Sequence, residues 1–190
     1  MIHAALFHLA GQLNEFLTRG LGLAEDMVVV SNLLDPDGSV APGVANKLVL
    51  FLTNIQKDTT PGNMPAASQG EGPSGRRYPP VHLNLYVMVA ASFSGSNYPE
   101  ALKMISAAIL FFQKHPVFDR RSSPGLDRRI DKLTLDIENL GTQDLASLWG
   151  VLSGKYLPSV LYRVRMVTFD SQDIQALEPT VRQPESRVAT

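Results

Sequence analysis

The stretch YPPVHLNLYVMVAASF, residues 78 to 93, constrains the fold more than any other part of the chain. Val81, Leu83, Leu85, Val87, Val89 and Phe93 fall on one parity, with Ala91 between them, which is the period of a strand with one buried face. The other parity, His82, Asn84, Tyr86, Met88, Ala90 and Ser92, is too polar for a core and too apolar for a fully solvated surface. It is either the mixed outer face of an ordinary core strand or a contact with another subunit. Pro79 and Pro80 have no N–H to give a ladder, so they mark where pairing begins.

The flanking segments supply what such a strand needs. Ile2, Leu6, Leu9, Leu13, Phe16 and Leu17 recur at three- and four-residue steps and predict a helix ending at Gly20. Met27 to Val30 reads as a short first strand, followed by the turn-rich LLDPDGSVAPG. NKLVLFLTNIQ, residues 46 to 56, is apolar on both parities from Leu48 to Leu52, so this strand is expected to be covered on both faces and central. After the organising strand, Asn97 with Glu100 reads as a capping box, and Pro99 sits in the first turn of a long apolar helix that Pro116 closes. DKLTLDIENL, residues 131 to 140, alternates Leu133, Leu135 and Ile137 against Thr134, Asp136 and Glu138, a half-exposed strand. GTQDLASLWGVL then predicts a helix capped by Thr142. SVLYRVRMVTFD predicts a last strand with Val160, Tyr162, Val164 and Met166 on one face and Leu161, Arg163, Arg165 and Val167 on the other. The order helix, strand, strand, strand, helix, strand, helix, strand describes an α+β fold, a single mixed β-sheet flanked by helices.

Three polar features leave alternatives open. Residues 57 to 77, KDTTPGNMPAASQGEGPSGRR, cannot build a core of their own; they form either a disordered hairpin tip or a projecting arm that orders on a partner, with Arg76 and Arg77 at its base. The doublets Arg120 with Arg121 and Arg128 with Arg129, each beside an Asp, are either solvated loop charges or a site for an anion or acidic partner. Arg163 and Arg165, side by side on a sheet face, need either an edge strand with solvated guanidiniums or carboxylates across a subunit boundary.

Length and composition set the outer limits. At 190 residues the chain suits one domain, residues 1 to 170, with 171 to 190 as an extended C-terminal tail. Zero Cys removes disulfides, thiolate metal sites and cysteine nucleophiles together. A net charge of -1 argues against a nucleic-acid partner. The apolar N-terminus lacks a basic flank and is broken by Gln12, Asn14 and Glu15, so it is not a signal peptide, and no run reaches the roughly eighteen apolar residues of a membrane span. A soluble, cytoplasmic protein is expected. His3, His8, His82 and His115 share no ligand spacing, and GLG at residues 20 to 22 follows a helix rather than a strand. Neither a phosphate-binding loop nor a nucleophile elbow is present, so no catalytic residue, cofactor or metal is expected.

Taken in order, PPVHLNLYVMVAASFSGSNYPEALKMISAAILFFQKHPVF, LWGVL and PSVLYRVRMVTF resemble the terminator or cap proteins of contractile injection systems of the antifeeding-prophage and virulence-cassette kind. The resemblance runs from the first helix to about Asp170. It implies a fold like that of phage tail terminators and a structural, non-enzymatic role: subunits form a sixfold ring on the tube end distal to the baseplate, halt growth of the inner tube and engage the last layer of sheath. The implied partners are further copies of the chain, the inner-tube protein and the sheath protein. Longer relatives continue into a further C-terminal region. A cyclic ring needs two different patches that meet each other. The candidates are the His82, Asn84 and Tyr86 face, the Arg163 and Arg165 face, and Arg76 with Arg77; the 57 to 77 arm or the tail would add a strand to a sheath subunit. Competing readings are a baseplate or adaptor component of the same particle, and an enzyme or small-molecule-binding protein on the same fold.

Overall fold

The computed structural model describes residues 1–59, 82–152 and 155–168. Six strands, β1 (Val28–Val30), β2 (Lys47–Lys57), β3 (His82–Ser92), β4 (Val117–Asp119), β5 (Ile130–Ile137) and β6 (Ser159–Thr168), accompany three helices, α1 (Ile2–Leu21), α2 (Tyr98–Lys114) and α3 (Thr142–Val151). The strands form one sheet in the order β1-β2-β3-β6-β5-β4. Only β1 and β2 run parallel; every other neighbour is antiparallel. This is the mixed sheet with helices that the alternating and helical periods predict.

The two parities of β3 meet two separate apolar layers. Leu85, Val87, Val89 and Ala91 lie against α1 and α2 in the main core, joined by Leu133 and Leu135 of β5 and Tyr162, Val164 and Met166 of β6. Met88 and Ala90 turn to the opposite face, where Trp149 of α3 closes a smaller core with Val49, Phe51 and Leu161. The segment Leu48–Phe51 is buried throughout because its residues feed the two layers alternately, which is why its sequence is apolar on both parities. β2 is accordingly an inner strand, and its hairpin partner is β3.

The helices follow their predicted stripes with altered ends. Leu6, Leu9, Leu13 and Leu17 of α1 are buried. The helix stops at Gly22 rather than Gly20: Gly22 takes the left-handed conformation (φ 64°) and its N–H reaches the carbonyl of Thr18. In α2, Ala101, Met104, Ile105, Ala108, Phe111 and Phe112 are buried. The capping box is not formed; a 3-10 turn, Gly95–Asn97, precedes the helix, and Asn97 Nδ2 lies 3.5 Å from Asn46 Oδ1 instead of the acceptor capping α2. Gly141, not Thr142, occupies the N-cap of α3, and Trp149 is the helix's one buried residue.

Two strand expectations are corrected. The stretch VFDRRSSPGLDRRI that holds the arginine doublets reads as loop in the sequence, but its first three residues, Val117–Asp119, are the edge strand β4, too short to show a period. Ile137, expected on the buried face, is 48% exposed at the end of β5, beyond the cover that buries Leu133 and Leu135.

Candidate interaction face

Among the described residues, helix cover on the sheet face that carries Trp149 is confined to its α3 end. At the α3 end Met88, Ala90 and Leu161 are buried; toward the other end the same rows continue as His82, Asn84, Tyr86, Arg163 and Arg165, all partly exposed. The register makes these two candidate groups a single patch. Tyr86 stands opposite Arg163 and Asn84 opposite Arg165 across β3 and β6, and directly opposed side chains in an antiparallel pair lie within contact reach. On the far side of β3, Asn54 pairs with Tyr86 and Gln56 with Asn84, and on the far side of β6, Thr134 pairs with Arg165 and Asp136 with Arg163. A bulge between Leu52 and Asn54 sets that phase, with Thr53 Oγ1 donating to the carbonyl of Tyr86 at 3.1 Å. The result is a polar surface four strands wide.

Its charges are neutralised locally. Arg163 Nε is 3.8 Å from Glu138 Oε2, a loose pair with both side chains about a third exposed. Arg165 Nε lies 3.1 Å from Asp58 Oδ2, and this carboxylate is almost fully buried, at 1% of its side-chain surface. The Nε–H is not aligned for a hydrogen bond, so the contact is Coulombic. Asp58 also fixes the root of the β2–β3 hairpin, its N–H donating to the carbonyl of His82 at 2.9 Å. The hydroxyl of Tyr86 donates to Gln56 Oε1 at 3.2 Å. By contrast, His82 Nδ1 and Asn84 Oδ1 are shielded from solvent and have no hydrogen-bond partner among the described residues.

This geometry corrects the sequence reading of the arginines. β6 is an inner strand between β3 and β5, not an edge, and the carboxylates that face Arg163 and Arg165 come from the same chain. Asp58, Glu138 and Gln56 belong to the patch and were missed. Gln56 and Asn54 carried a visible signal, since β2 turns polar after Leu52, whereas nothing local marks Asp58 or Glu138 as an arginine's partner. Arg76 and Arg77, the rest of the 57 to 77 arm beyond Thr59, and the 171 to 190 tail lie outside the described residues. Among the described residues no group of three or more His, Asp or Glu side chains converges on a metal-sized point. No helix there is long and apolar enough to cross a membrane.

Two solved structures are similar in fold to this chain. The sheath/tube terminator of PVC, an extracellular contractile injection system, in its extended state matches all of this chain with a TM-score of 0.61 at 15% identity. The tube-terminating cap of the anti-feeding prophage matches 95% of it with a TM-score of 0.52, also at 15% identity. This chain spans 64% and 58% of those two chains. At such identity the likeness is one of fold. No curated protein matches the sequence. The profile of the Pvc16 N-terminal domain fits residues 7–183, and the chain therefore belongs to the Pvc16 N-terminal domain family.

Proposed function

We propose that this protein is a structural cap of a contractile injection system, a ring that ends the inner tube at the end distal to the baseplate and holds the last layer of sheath. The observation that carries the reading is the match of all of this chain to a sheath/tube terminator, beside its membership of the Pvc16 N-terminal domain family. Catalysis has no part in it: the protein acts by shape and charge at its borders. The assembly is a sixfold ring formed in the cytoplasm, and its partners are other copies of itself, the tube protein and the sheath protein.

The polar half of the sheet is the contact surface in this reading. His82, Asn84, Tyr86, Arg163 and Arg165 lie together in the patch and each stays partly exposed, so their side chains are within reach of another protein surface. Capping also requires that the surface turned to the tube have no copy on the opposite side. The two faces here meet that need, since one is sealed by α1 and α2 and the other is half bare.

The test is assembly of particles with and without the protein, viewed by negative-stain electron microscopy. With it, tubes of one length with attached sheaths are expected. Without it, tubes run to variable length and sheaths detach. Tubes of uniform length bearing firm sheaths in its absence would overturn the proposal.

A further inference from the structure

The sheet has two edge strands, and the fold treats them oppositely. At β1 the side-chain amide of Asn14, from α1, takes the place of a neighbouring strand: its Oδ1 accepts from the N–H of Met27 at 2.9 Å and of Val28 at 2.8 Å, and its Nδ2 donates to the carbonyl of Val28 at 2.9 Å. The amide thereby satisfies the outward groups of Val28 on this edge. Among the described residues no helix side chain guards β4 in this way. The N–H of Leu135 donates to the carbonyl of Pro116 at 2.8 Å, so by the alternation of an antiparallel ladder Phe118 bonds inward to Leu133, while Val117 and Asp119 turn their backbone groups outward. The groups of Asp119 are taken, its N–H by Ser122 Oγ and its carbonyl by the N–H of Ser123. Those of Val117 have no partner among the described residues, and its side chain is 40% exposed.

Two further features converge on this edge. Beside Val117 a cavity of about 420 Å³ opens between α1 and the end of α2, walled by Phe16, Phe111 and Phe118. The segment from Lys114 to Lys132 around β4 carries six cationic side chains (Lys114, Arg120, Arg121, Arg128, Arg129, Lys132) against three Asp (Asp119, Asp127, Asp131), a local balance of +3 in a chain of net -1. The carboxylate of Asp119 is occupied by the N–H groups of Arg121 and Ser122, and that of Asp127 by Arg129 at 2.7 Å. Arg121, Arg128 and Lys132 are exposed and form no ion pair among the described residues.

We propose that the β4 edge is a docking site for an acidic, extended segment of a partner protein, which pairs with the backbone of Val117 and places one apolar side chain in the cavity between Phe16, Phe111 and Phe118. Strand addition supplies the register, the cavity supplies an anchor, and the unpaired cations select for acid. The proposal does not rest on the capping role.

Selection of random twelve-residue peptides on the intact protein tests it. Enrichment of acidic sequences with alternating apolar residues is expected, and titration of the strongest should protect the Val117 amide from hydrogen exchange. Arg121→Glu with Arg128→Glu, both surface positions, should weaken that peptide at least about tenfold. Val117→Pro, which removes only an outward N–H at a sheet edge, should abolish binding while the thermal unfolding midpoint stays within a few degrees. A selection that enriches nothing, enrichment of basic or uncharged sequences, binding retained by both variants, or dimerisation of the protein through β4 in place of peptide binding would each overturn it.

Discussion

Tyr162 shows how a single side chain reports its surroundings. Its ring packs edge-on to Phe112 at 5.0 Å in the main core, its hydroxyl has no hydrogen-bond partner among the described residues, and burial pushes its pKa up to about 12. An unfolded tyrosine loses its proton near pH 10, so between about pH 10 and 12 the native state holds a proton that the unfolded chain has released, and stability falls as pH rises through that window. Tyr162→Phe should remove this part of the alkaline decline. At neutral pH it should leave stability unchanged or raise it by about 1 kcal/mol, since a buried hydroxyl without a partner is lost while the ring contact stays. Urea unfolding midpoints at pH 8 and pH 11 measure both effects. His8 behaves in the opposite sense: its Nε2 is buried without a partner among the described residues, its ring meets the edge of Phe118, and burial lowers its pKa against the opposing pull of Glu15. The native state therefore resists protonation that the unfolded chain accepts, and stability falls as pH drops through the ordinary histidine range. His8→Leu should gain on the wild type in unfolding midpoint between pH 7.5 and pH 5.5. Neither residue was distinguishable in the sequence from a neighbour on the same stripe, because a pKa depends on what lies across the fold rather than along the chain.

Among the elements, α3 is held most narrowly. Its apolar residues Leu145, Leu148 and Leu152 are only partly buried, and Trp149 alone enters the second core, edge-on to Tyr156 at 5.8 Å. Trp149→Ala should free α3 from the sheet: hydrogen exchange of residues 142–151 is expected to become fast, while α1 and α2, which pack on the opposite face, stay protected. Loss of a buried aromatic of this size costs about 3–5 kcal/mol in a rigid core, and less here if α3 detaches as a unit. Legible in sequence were the elements whose period is long enough to repeat, α1, α2, α3, β2, β3, β5 and β6, and the β-branched run of β1. β4, with three residues, carries no period, and the helix ends shifted because Gly20 and Gly22 are equal as sequence signals and differ only in which one adopts a positive φ. Asn14 was read simply as a polar interruption of an apolar terminus; that its amide would seal β1 depends on the packing of α1 beside the sheet edge.

For the molecule as a whole, the period of each strand predicted which residues share a face, and the pairing register, which no local pattern contains, decided that His82, Asn84 and Tyr86 lie beside Arg163 and Arg165. That adjacency changes how the proposed contact surface is best tested. Replacing Arg165 would strip the buried carboxylate of Asp58 of its facing cation. Putting a second carboxylate against a buried one is destabilising, so a defect in Arg165→Glu would mix lost stability with lost contact. Arg163 and Tyr86 offer a cleaner probe. Among the described residues Arg163 pairs with the loose, partly exposed Glu138 alone, and Tyr86 gives up one hydrogen bond to Gln56, so Arg163→Ala and Tyr86→Ala should each lower stability by about 1–2 kcal/mol. In particle assembly the double variant should reach normal soluble levels yet leave tubes of uneven length, if the bare half of the sheet is the surface that meets the tube or the next subunit. A double variant that caps tubes as the wild type does would move the contact surface away from this face, and would do so without disturbing the fold that the sheet and its two apolar layers define.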